Sequence, residues 1–151
     1  MAAFMRLRRF RPDDLPTLHE IDQGCFPPGI SYSLAELAEF IEHPHSRTWV
    51  AEDEGHTVGF LIAHREPNKI GHIVTIDVVE GWRRQGVGTL LMDAAEEWAR
   101  KQGLVGMYLE TAEDNFRAQS FYRERGYEVA EKVEHYYSDG TAAWVMMKKL
   151  R

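Results

Sequence analysis

The chain has 151 residues, 44% apolar and 28% charged, which fits one globular domain with its own core and excludes disordered, collagen-like and coiled-coil classes. Its 24 acidic and 18 basic side chains leave a formal charge of −6, which argues against non-specific nucleic-acid binding; any anionic ligand must meet a local positive site. The single cysteine, Cys25, excludes an intrachain disulfide framework.

Phe4 to Phe10 reads as an edge strand with Leu7 and Phe10 inward and Arg6, Arg8, Arg9 and Arg11 on its solvated side. No apolar run long enough for a signal-peptide core follows these arginines, and none approaches the roughly 20 residues of a membrane span. The expectation is a cytoplasmic protein with no membrane partner. Pro12-Asp13-Asp14 starts a helix with Leu15, Leu18, Ile21 and Cys25 on its apolar face. Phe26-Pro27-Pro28-Gly29 breaks it. Ser33 and Glu36 have the spacing of a capping box for a second helix, with Leu34, Leu37, Phe40 and Ile41 on one side and Pro44 beyond its end.

Three strands follow: Thr48 to Asp53, Val58 to His64, and the β-branched run Ile70 to Val79. Leu90, Leu91, Ala94, Ala95 and Trp98 then line one face of a helix that Gly103 closes. A strand over Val105 to Thr111, a helix over Asn115 to Arg125 and a hairpin spanning Tyr127–Tyr137 and Ala142–Leu150 complete the chain. The order β-α-α-β-β-β-α-β-α-β-β predicts a single mixed α/β domain over residues 1–151, parallel at the central strand–helix–strand crossover and antiparallel at the hairpins.

The chemistry is concentrated where the third central strand turns into the long helix. Arg83-Arg84-Gln85-Gly86-Val87-Gly88-Thr89 puts two cations and two glycines at a helix N-terminus, where free N–H groups and the dipole favour a phosphate or pyrophosphate. The lysine of a P-loop is absent, and Leu91 stands where a dinucleotide fingerprint needs a third small residue. The alternative is a tight turn with no ligand. His43, His45 and His56 lack a cysteine or carboxylate at ligand spacing, so no metal is expected. Cys25 lacks a base partner and reads as a buried thiol.

The Arg-x-x-Gly-x-Gly turn after a β-branched strand, followed by Asn115 and Phe121-Tyr122 on the next helix, resembles the GNAT N-acetyltransferase superfamily. Gly71-His72-Ile73-Val74, Leu109-Glu110-Thr111, Asn115-x-x-Ala118 and Tyr136-Tyr137-x-Asp139-Gly140 are similar to its ribosomal-protein-alanine and archaeal-type N-terminal branch. The resemblance implies a GNAT fold, with a mixed, mostly antiparallel sheet flanked by helices and strands splayed near residues 76–78 and 108–110. It also implies acetyl-coenzyme A as co-substrate. Arg83, Arg84, Gln85, Gly86, Val87, Gly88 and Thr89 would hold the pyrophosphate. The backbone of Ile76, Asp77 and Val78 would hold the pantetheine arm, and Asn115 would contact the cofactor. The Asp77 side chain is expected to face away from it.

By the same resemblance Glu110 is the general base, Tyr122 the general acid, and His72 helps with the amine proton. Phe26, Pro27, Ile30, Tyr136 and Tyr137 would line the acceptor groove, although strand alternation admits only one of the two tyrosines. The expected acceptor is a peptide or protein N-terminal amine, attacking directly in a ternary complex. A small amine or lysine, for which Glu113, Asp114 and Glu134 could build an acidic cleft, is the alternative. A non-catalytic acyl-coenzyme A-binding module and a homodimer also stay open.

Overall fold

A computed structural model of the chain describes residues 5–151; the expected strand start at Phe4 lies outside them. Among these residues seven strands form one sheet in the order β1-β2-β3-β4-β5-β7-β6. They are β1 (Met5–Arg9), β2 (Ser46–Asp53), β3 (His56–Glu66), β4 (Ile70–Val78), β5 (Gly106–Ala112), β6 (Glu128–Val133) and β7 (Ala143–Lys149). Neighbouring strands are antiparallel except β4 and β5, the pair joined through the crossover helix. The helices are α1 (Leu15–Cys25), α2 (Leu34–Glu42), α3 (Val87–Lys101) and α4 (Phe116–Glu124). This is the expected element order, with a mixed, mostly antiparallel sheet flanked by helices.

The sheet separates two apolar layers. On one face Leu91, Met92, Ala95 and Ala99 of α3 pack against Leu61, Ala63, Ile73, Met107 and Leu109. On the other, Leu18 of α1 and Leu37 of α2 cover Val50, Phe60 and Ile62. Local signals hold where they are strong. Ser33 and Glu36 exchange the two hydrogen bonds of a capping box at α2 (3.1 and 2.9 Å). Gly103 ends α3 with φ +77, a conformation that glycine adopts without strain.

Two expectations change. Leu34 is 45% exposed, because only Leu37 of the proposed stripe points fully inward. Arg8 is not solvated: it joins Glu52 (2.8 Å) on the neighbouring strand and both carboxylate oxygens of Asp14 (2.8 Å each). Arg6 reaches the same Glu52 at 2.8 Å. The edge strand thus binds its own sheet through the buried Arg8–Glu52 pair, with the exposed Arg6 reaching the same carboxylate.

Candidate functional site

Backbone register opens the site. β4 and β5 pair only at Ile70–Gly106, Gly71–Met107 and His72–Tyr108. Beyond His72 the strands separate, near where splaying is expected. β3 meets β4 at Ile62–Thr75 and then at Ala63–Ile73, so Val74 is an extra residue in β4. Such a bulge bends the strand and reverses which side chains face which layer. Ile73, Ile76 and Val78 therefore all pack toward α3. Asp77 turns to the α1 side, where it accepts from Thr75 Oγ1 and is 1% exposed.

The split opens into a cleft of about 880 Å³, large enough for an extended ligand and an acceptor together. The N-terminus of α3 faces one end of it. Gly86 caps that helix at φ +87 with no side-chain hydrogen bond, so the first backbone N–H groups keep their capacity for an anion. Arg83, Arg84, Gly86, Gly88 and Thr89 line the cleft, as do Ile76, Val78 and Asn115. Gln85 and Val87 do not; Gln85 is exposed and the Val87 side chain is buried in the core. Arg83 Nε turns back to the Val78 carbonyl (3.3 Å), which leaves Arg84 as the exposed cation of the pair. The two glycines have separate reasons. Gly86 supplies the left-handed turn, whereas a Cβ at Gly88 would stand 3.2 Å from the Phe121 ring, so Gly88 also lets α4 approach α3. Asn115 Oδ1 accepts from Ala118 N (3.2 Å), capping α4. Arg117 adds a further cation that its sequence position did not suggest.

Glu110 and Tyr122 both line the cleft. Burial, with a smaller push from Asp77, raises the Tyr122 phenol above its ordinary range and keeps it protonated. Glu110 lies past the last β4–β5 pair, and its Oε1 is 2.7 Å from His72 Nε2. His72 itself does not line the cleft; it reaches the site through Glu110. Cys25 is not sequestered in the core as expected. It ends α1, lines the cleft and donates to the Val78 carbonyl at 3.4 Å. Burial, aided by Asp77, pushes its thiol up to about 11, which makes it a poor nucleophile.

The opposite rim joins two distant loops. Phe26, Pro27 and Ile30 from the α1–α2 loop and Tyr136, Tyr137 and Thr141 from the β6–β7 loop line it. The expected hairpin is shorter than read: β6 stops at Val133, and His135 has φ +53. The two tyrosines therefore stand in a loop, edge to face at 4.8 Å, and both reach the cleft. Strand alternation does not apply to them. Tyr32 completes this rim and was missed in sequence, since nothing local relates it to residues a hundred positions later. Burial raises the Tyr32 and Tyr137 phenols and moves that of Tyr136 to about 12. Of the acidic residues proposed for a cationic substrate, Asp114 lines the cleft. Glu113 and Glu134 do not; both pair with Lys132 (3.1 and 3.2 Å). Among the described residues no three His, Cys, Asp or Glu side chains are placed to hold a metal ion.

The chain matches the model of the Acetyltransferase (GNAT) family over residues 15–127. It is 29% identical to an N-alpha-acetyltransferase of Sulfurisphaera tokodaii over 157 aligned positions, covering 96% of this chain and 93% of that protein. Its structure is similar to Ard1 from Thermoplasma volcanium, with a TM-score of 0.89 and 30% identity over 97% of this chain and 98% of the other. A ribosomal-protein alanine N-acetyltransferase from Escherichia coli shares the fold at a TM-score of 0.86 and 21% identity, covering 97% of this chain and 94% of the other.

Proposed function

The chain belongs to the acetyltransferase (GNAT) family, and from that premise we propose that it transfers acetyl from acetyl-coenzyme A to the N-terminal α-amino group of a peptide or protein. The whole chain would act as one domain, in the cytoplasm and without nucleic acid or membrane. The observation that carries the reading is the joined rim: the α1–α2 and β6–β7 loops meet across the cleft above Glu110. A slender chain end can pass such an opening more readily than a bulky one. The apolar residues Phe26, Pro27 and Ile30 suit a first side chain, and the pairing of Glu113 and Glu134 with Lys132 weakens the case for a polyamine. Similarity at 29% identity along nearly the whole length of an N-alpha-acetyltransferase supports the same acceptor class.

The residues present fit the co-substrate. The uncapped start of α3, with Arg84 beside it and Arg117 lining the same cleft, suits a pyrophosphate. The free edge of β4 beyond His72 offers backbone to an amide-containing arm, with the amide near Val78 as the donor that polarises the thioester carbonyl. The neutral amine attacks the acyl carbon; the C–N bond forms and the C–S bond breaks. Glu110 accepts the amine proton, and Tyr122 gives its phenolic proton to the departing thiolate. The high Cys25 thiol disfavours an acyl-enzyme route.

The test is release of coenzyme A thiol over free Ala, Ser and Met peptide N-termini, an N-terminally blocked peptide with an internal lysine, and spermidine. Turnover of free N-termini alone is expected. Turnover confined to spermidine or lysine would overturn the acceptor class, and acetyl-coenzyme A binding without turnover of any amine would favour a non-catalytic module.

A further inference from the structure

Two buried carboxyl groups, those of Asp22 on α1 and Asp77 on β4, are in hydrogen-bond contact with each other. Their remaining partners lie on opposite sides of the pair. Asp77 Oδ1 accepts from the Thr75 hydroxyl, and Asp22 Oδ2 accepts from the Tyr32 backbone N at 2.7 Å. The oxygens left for the mutual contact are Asp22 Oδ1 and Asp77 Oδ2, which no other group reaches. A carboxylate only accepts, whereas a carboxylic acid also donates, so all four oxygens are satisfied when the pair holds one proton. With no proton, two like charges abut away from water. Tyr32 is the far end of this chain of contacts. Gln23 of α1 donates to its carbonyl at 2.8 Å, its ring packs edge-on against Phe40 at 4.9 Å, and it lines the acceptor rim. One proton therefore ties the strand beside the thioester to the loop that receives the amine.

We propose that Asp22 and Asp77 are positioning residues for acetyl transfer, whose shared proton holds Tyr32, and with it the acceptor rim, against β4. The proposal rests on the acetyl-transfer reading for the identity of the acceptor. Neither carboxylate lines the cleft, so both act through Tyr32. Loss of the proton sets two anions against each other. Asp77 is fixed by its strand and by Thr75, so α1 is the element that yields, carrying Asp22 and the Tyr32 tether away from the sheet. The rim then loosens and acceptor binding weakens, while the cofactor end at the start of α3 keeps its geometry. Burial and Asp22 place the titration of Asp77 well above the ordinary 3.8. Acceptor binding is therefore strongest below that titration and weaker above it.

Other ionisable groups surround the pair. Cys25 of α1, Arg83 before α3 and Tyr122 of α4 lie near Asp77, and Glu110, Tyr136 and Tyr137 lie near Tyr32. Thr75 and Arg83 favour the ionised form of Asp77, but burial and Asp22 outweigh them. Burial keeps Cys25 and Tyr122 protonated through neutral pH. On β3 the residue opposite Asp77 is Phe60, which carries no charge.

The experiment compares the parent with Asp22→Asn, Asp22→Ala and Thr75→Val. One readout is the Tyr32 backbone amide followed by NMR against pH in the resting protein. The other is KM for each substrate against pH, with whichever amine is turned over, taken as a ratio to Asp22→Asn so that ionisation of the amine and of Glu110 cancels. Asn at position 22 accepts from Tyr32 N and donates to Asp77 without a shared proton, so its Tyr32 amide should not step with pH. The parent's amide should step once as pH rises, and Thr75→Val should move that step to higher pH, because the carboxylate loses a donor. KM for the acceptor in Asp22→Ala, and in the parent above its step, should exceed that of Asp22→Asn by roughly fivefold or more, with KM for acetyl-coenzyme A alike in all. If the parent keeps its proton throughout the folded range, Asp22→Ala against Asp22→Asn decides; if Asp22→Ala does not fold, the parent and Thr75→Val against Asp22→Asn decide. Equal acceptor KM across these comparisons, a rise in both KM values together, or the same amide step in the parent and Asp22→Asn would overturn the proposal. Absence of turnover with every amine would instead defeat the acetyl-transfer reading, and the Tyr32 amide would still show whether the pair holds the loop.

Discussion

Ser138 donates twice to the carbonyl of Gly29, from its backbone N at 3.2 Å and from its hydroxyl at 2.9 Å. These contacts tie the β6–β7 loop to the α1–α2 loop across 109 positions of sequence. Gly29 has φ +92, and a Cβ there would lie 2.7 Å from the Asp139 Cβ. The approach of the loops therefore requires glycine at this position. Gly29→Val should separate them and raise KM for the acceptor by roughly tenfold, equivalent to about 1.4 kcal/mol of binding, while KM for acetyl-coenzyme A stays constant. Steady-state kinetics with each substrate varied checks this, and equal changes in both constants would point to general distortion of the site.

Arg84 stands exposed beside the uncapped start of α3, while Arg83 spends its Nε on the Val78 carbonyl. Replacing both by Ala should raise KM for acetyl-coenzyme A by roughly tenfold, about 1.4 kcal/mol, and leave kcat largely intact. The parent's KM should also rise with ionic strength more steeply than that of the variant. Unchanged cofactor binding would remove the phosphates from this end of the cleft.

Glu110→Gln and Tyr122→Phe keep side-chain size and remove the proton acceptor and the proton donor. Each should lower kcat by ~10²–10⁴-fold with little effect on either KM. Because burial raises the Tyr122 phenol, the parent should retain its acid well above neutral pH. The expected kcat profile has no loss attributable to this tyrosine between pH 7 and its ordinary value of 10. Full activity in either variant would refute the assigned role.

Asp22 and Asp77 form a second buried relationship, with exposures of 0% and 1%. Two carboxylates in contact cannot both ionise cheaply, and burial together with Asp22 pushes Asp77 well above its ordinary 3.8. The folded state therefore holds a proton that the unfolded state releases as pH rises above 3.8, so this pair lowers stability with increasing pH through that window. Asp77→Asn supplies an amide donor to Asp22 and removes the titration. Its advantage should be absent at pH 3 and reach about 1–3 kcal/mol at pH 7, read from denaturant unfolding of both proteins. An equal pH dependence in both would contradict the shared proton.

Local chemistry was legible in the sequence, and long-range geometry was not. The capping box at Ser33, the turn at Gly103 and the glycine-rich start of α3 depend on neighbours within a few residues, and each appears where its pattern lies. The burial of Arg8 depends on Glu52, which is 44 positions away. The reversal that aims Asp77 away from the cleft comes from a bulge at Val74, and the β-branched composition of that strand carries no sign of it. Tyr136 and Tyr137 face inward together because the chain leaves its strand before them. Glu110 was legible as a motif, but its contact with His72 comes only through pairing of β4 and β5.

The most direct test of the account uses one peptide that carries both a free N-terminal alanine and an internal lysine, incubated with the protein and acetyl-coenzyme A. Fragmentation mass spectrometry then locates the acetyl group. A single acetyl on the α-amine is expected, abolished when that amine is blocked. Acetyl on the lysine side chain with the α-amine left free would contradict it.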